Sequence, residues 1–103
     1  MDIAEKFELI DSVSEYDLKK IGFKNGIYKC FIYKDILQFI IDVEINKEDG
    51  NSWAYQIYNA DTQSIYAAYY NREYGSYEHM KDIDKSINKA MNKLVKAQIF
   101  KKG

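Results

Sequence analysis

From Leu37 to Ile45 the chain alternates without a break. Leu37, Phe39, Ile41, Val43 and Ile45 occupy the odd positions, and Gln38, Ile40, Asp42 and Glu44 the even ones. A period of two sends successive side chains to opposite faces, so residues 36–46 read as a strand with one wholly apolar face. The neighbouring stretches must register against that face. Residues 27–34 form a second strand: a turn at Lys34-Asp35 pairs Ile32 with Leu37, Cys30 with Phe39 and Tyr28 with Ile41, and brings both apolar sets to one side. On the far side Glu48-Asp49-Gly50 reads as a three-residue hairpin loop with Gly50 in the left-handed region. It sets Ile45 by Trp53, Val43 by Tyr55 and Ile41 by Ile57. A two-residue Asp-Gly turn would bring Ala54 and Gln56 to the core side and is rejected. A fourth strand follows over residues 64–70; a loop at 60–63 turns Tyr66, Ala68 and Tyr70 inward, and a loop one residue shorter turns Ile65, Ala67 and Tyr69 inward.

Helical periodicity flanks this meander. Ile3, Phe7, Ile10 and Val13 fall at i, i+4, i+7 and i+10, so residues 2–13 are expected to form an amphipathic helix. Ser14 caps a second short helix over Glu15–Ile21, with Gly22 as its stop. Residues 77–98 form a long helix with an apolar stripe of Met80, Ile83, Ile87, Ala90, Met91 and Leu94, and Lys101-Lys102-Gly103 is expected to fray. The 103 residues therefore read as a single α+β domain. An N-terminal helix, or two short ones, precedes a four-stranded antiparallel meander and a long C-terminal helix, in two layers.

Leu18-Lys19-Lys20-Ile21-Gly22-Phe23, a helix end leading into a hairpin, resembles the start of HicA-type RNA-cleaving toxins. The resemblance covers only these few residues. Where those toxins carry Gly-Ser-His, this chain has Gly26-Ile27-Tyr28, so it implies a hairpin and not a nuclease. The richness in Lys, Ile, Asn and Tyr, with no Pro, suits an AT-rich bacterial or phage genome. One cysteine, no basic and apolar leader, and no run of ~20 apolar residues set the expectation of a cytoplasmic protein.

No catalytic, metal or cofactor motif stands out. Cys30 faces the core as a small hydrophobe, and His79, near Glu78, Asp82 and Asp84, lacks the ligand set of a zinc site. The candidate sites are contact surfaces. Phe31, Tyr33, Ile36, Ile40 and Tyr58 fall together on the non-core sheet face, a surface for a protein partner or a second copy unless the first helix covers it. Lys81, Lys85, Lys89 and Lys93 line one face of the last helix. Net charge is -1, but residues 1–76 carry -5 and residues 77–103 carry +4, so that face is the alternative site, for nucleic acid. A small molecule held between sheet and helix is the third reading.

Overall fold

The computed structural model describes residues 3–46, 48–67 and 77–103, and the side chains of all of these except residues 3 and 77–79. The strands are β1 (Phe7–Leu9), β2 (Ile27–Tyr33), β3 (Leu37–Glu44), β4 (Ser52–Asn59), β5 (Ser64–Ile65) and β6 (Phe100–Lys102). The helices are α1 (Glu15–Ile21) and α2 (Tyr77–Lys96), and a 3-10 turn covers Ile3–Lys6. Strands β2-β3-β4-β5 form the antiparallel meander, and β1 pairs with β6 in a separate two-stranded sheet. The α+β class, the meander and the long C-terminal helix are as the sequence reads. Among the described residues no helix is long and apolar enough to cross a membrane.

The alternating strand is the centre of the core. Leu37, Phe39, Ile41 and Val43 are all buried, while Asp42 and Glu44 on the other face are exposed. Ile57 joins them from β4, and Met80, Ile83, Ile87, Met91 and Leu94 from the stripe of α2. Helix α1 has the expected cap: Ser14 N–H donates to Asp17 Oδ2 at 2.9 Å and Asp17 N–H to Ser14 Oγ at 3.2 Å. The Ser14 backbone N–H, then its hydroxyl, hold the Asp17 carboxyl below its usual range.

The first dozen residues differ from expectation. They are not an amphipathic helix but a 3-10 turn running into β1. Phe7 and Leu9 are two apart, so the same apolar residues also satisfy a strand, and Phe7 is buried, Glu8 exposed and Leu9 half-buried. A twelve-residue helix is marginal by itself, and here a partner strand is available. Lys101-Lys102-Gly103, read as a fraying tail, belongs to that pairing: Leu9 faces Phe100, Glu8 faces Lys101, and Gly103 N–H donates to the Lys6 carbonyl at 2.8 Å. An exposed ion pair, Lys101 to Glu8 at 3.9 Å, spans the two strands.

Two registers also shift. In the β3–β4 hairpin Val43 faces Trp53, Ile41 faces Tyr55 and Phe39 faces Ile57. This is a slide of two residues from the expected pairing, which preserves both faces because the side-chain period is also two. The connection is longer than three residues because Asn46 organises it. Its Oδ1 accepts the N–H of Glu48 and of Asp49, and its carbonyl accepts that of Gly50. Asn51 then leaves the ladder, and its Nδ2 donates to the carbonyls of Asp11 and Val13 at 3.0 and 3.2 Å. In the β2–β3 hairpin Cys30 faces Phe39 and Tyr28 faces Ile41 as expected, but a bulge sets Tyr33, not Ile32, opposite Leu37. Lys-Asp lacks the glycine of a tight primed turn. Lys34 instead takes φ +48, and the extra residue is absorbed in the strand. At β5, Asn59 faces Ser64 and Tyr58 faces Ile65, which selects the 60–63 loop with Tyr66 packed against the core. Ala68 and Tyr70 lie outside the described residues.

Gly26 marks the tightest approach. Its φ is +80, and a Cβ there would sit 2.5 Å from the Val43 carbonyl oxygen. Gly50 has φ +87 but open space around it. Gly26→Ala is therefore expected to cost about 2–4 kcal/mol and Gly50→Ala only ~1 kcal/mol, measured by urea denaturation. Equal losses would place Gly26 away from β3.

Candidate functional site: a lysine-lined groove beside an edge strand

The face of the meander turned away from α2 carries one cross-strand row of Phe31, Gln38, Tyr58 and Ile65, and beside it a row of Lys29, Ile40 and Gln56. Phe31 is 53% and Ile65 56% exposed. Ile40 is flanked by Lys29 and Gln56 and is only 9% exposed. The sequence placed Tyr33 and Ile36 on this face as well. The bulge turns Tyr33 to the side of Leu37, and both residues pack against the core. The apolar surface is thus smaller than expected, made by Phe31, Tyr58 and Ile65. The N-terminal segment does not cover it: Ala4 and Phe7 join the core cluster that includes α2.

A second surface lies along the opposite wall of β2. Strand β2 is at one end of the sheet order and α2 packs against it, leaving a groove of about 750 Å³. Tyr28, Cys30 and Phe31 form the strand wall. Lys85, Lys89, Lys93 and Lys96 form the helix wall, with Ser86, Asn88 and Asn92 between them. Among the described residues that line it there is no carboxylate. Lys81 is exposed one turn before the groove and does not line it. Lys93 Nζ lies 3.4 Å from the Tyr28 hydroxyl, to which it donates, and 6.0 Å from the Tyr28 ring centroid. That contact ties the helix wall to the strand wall.

Burial pushes the Cys30 thiol up, an effect only partly opposed by the Lys93 ammonium. That burial disfavours the thiolate, the form in which a cysteine acts as a nucleophile. Among the described residues no group of three or more His, Cys, Asp or Glu is placed to hold a metal. The His79 side chain lies outside the described residues. A depression of comparable size, about 710 Å³, lies between α1 and the β3–β4 connection. Two of the polar side chains there are engaged within the protein, Ser14 with Asp17 and Asn51 with the carbonyls of Asp11 and Val13.

The lysine row is legible from sequence, but its extension to Lys96 and the Tyr28–Cys30 wall are not. One signal was available: the first strand of a meander has a neighbour on one side only. No protein family, curated protein or solved structure matches the chain, so its site is read from its own residues.

Proposed function

We propose that the protein is a non-enzymatic binding module that holds an anionic partner in the groove between β2 and α2. One observation carries this reading: four ammonium groups share a groove with no carboxylate among the described residues that line it. Their mutual repulsion is relieved when an anion enters, and a concave site strengthens that attraction relative to an open helix face. The wider process is protein interaction. The exposed Phe31 and Ile65, with the half-buried Tyr58, offer an adjoining apolar contact, and Phe31 belongs to both surfaces.

The test is fluorescence anisotropy with labelled oligoglutamate and oligothymidylate over a salt series. At least one polyanion is expected to bind, and binding should weaken as salt rises. Lys85→Glu with Lys89→Glu should reduce affinity by about tenfold or more, with an unchanged circular dichroism spectrum because both residues are exposed. Absence of binding at low salt, or affinity unmoved by the double reversal, overturns the reading.

A further inference from the structure

We infer that the occupant of the groove is an extended acidic peptide that adds to β2 as a new outer strand. The inference rests on the groove reading and adds the backbone of β2 to it. Val43 N–H donates to the Gly26 carbonyl, which makes Gly26 and Val43 a hydrogen-bonded pair of the β2–β3 ladder. Such pairs alternate along antiparallel strands. Tyr28 and Cys30 therefore direct their backbone groups at β3, and Lys29 and Phe31 direct theirs outward. Strand β2 ends the sheet, and no described residue bonds these outward groups. They form a template for one more strand.

Charge identifies the strand. The new strand would have the α2 lysines on one side. On the other side a smaller depression along the same edge is lined by Lys24 and Lys29, together with Gly22 and Ile27. Lys85, Lys89 and Lys93 are four residues apart, a rise of about 6 Å each. Alternate side chains of a strand repeat every ~6.7 Å. A peptide with Glu or Asp at every second position thus meets successive lysines with its carboxylates while its amides pair with Lys29 and Phe31. A second copy of this chain is disfavoured as the occupant, because pairing β2 with β2 would bring two lysine rows together. Nucleic acid is disfavoured too. The Tyr28 ring, which a base would stack on, is engaged by Lys93, and the chain has 14 Lys and one Arg.

The probes are a capped (Glu-Thr)4 peptide, the same peptide N-methylated at alternate residues, and oligothymidylate of similar charge. The readouts are anisotropy and amide chemical shifts and exchange of the labelled protein. The unmodified peptide should bind, shift and protect the Lys29 and Phe31 amides, and lose about tenfold or more in affinity on N-methylation, which removes main-chain donors but no charge. Phe31→Pro, which removes the outward N–H at an edge position that tolerates proline, should weaken the peptide by a similar factor. If that variant misfolds, the N-methylated peptide alone decides. Equal binding of both peptides overturns strand addition and leaves the groove reading standing. Binding of oligothymidylate without the peptide also overturns it, with nucleic acid as the occupant. If no probe binds, both readings fall.

Discussion

Phe100→Ala is expected to destabilise the protein by about 3–5 kcal/mol, a loss that would seem out of place beside the exposed Lys101 and Lys102. The ring is fully buried. It lies edge-on to Trp53 with centroids 4.7 Å apart, and its strand faces Leu9. Removing it takes away the transfer energy of the side chain and leaves a cavity beside the Trp53 ring. The neighbouring Lys101 and Lys102 are exposed, so Lys102→Ala should change stability by less than ~0.5 kcal/mol. Trp53 is the single tryptophan, so its fluorescence reports both the unfolding transition and the local loss of the ring. A loss below ~1 kcal/mol for Phe100→Ala would mean that β6 is not docked.

Phe39→Ala should cost a similar ~3–5 kcal/mol, from the centre of the main sheet. Phe39 is fully buried between Cys30 and Ile57, with its ring centroid 5.8 Å from that of Tyr55. Phe31→Ala is the matching control. It makes the same chemical change in the adjacent strand at a side chain that is 53% exposed, and should cost no more than about 1 kcal/mol. The two variants, compared by urea denaturation, read the two faces of the sheet directly. Equal losses would mean that the outer face is also packed, and Phe31 and Ile65, with the half-buried Tyr58, would no longer be available for contact.

What was legible in the sequence follows from period and parity. The alternation at Leu37–Val43 fixes which side chains face the core, and Phe39, Ile41 and Val43 do; it does not show that Ile40, on the other face, is covered by its neighbours. Parity does not fix how far two strands slide. The β3–β4 pairing could therefore move by two residues, from Ile41 with Ile57 to Ile41 with Tyr55, with every face intact. The decisive groups are hydrogen-bonding ones in the connection, Asn46 and Asn51, whose roles no hydrophobic pattern encodes. The first twelve residues failed for a different reason. Ile3, Phe7, Ile10 and Val13 fit a helix, Phe7 and Leu9 fit a strand, and the choice was made by Phe100, over ninety positions away. The groove was half legible. Spacing alone aligns Lys85, Lys89 and Lys93, but their meeting with Tyr28 and Cys30 depends on where α2 crosses the sheet.

The pairing of β1 with β6 also bears on how the chain is made. The ribosome delivers Phe7 long before Phe100, and among the described residues β1 pairs with no strand other than β6. The meander, closed by short connections, can form while synthesis is still under way, because local closure is fast. The nascent protein must then carry β1 unpaired, with the Phe7 side chain free to meet other chains, until β6 clears the exit tunnel. Completion of the fold is thereby tied to the emergence of Phe100, because β1 cannot pair before it.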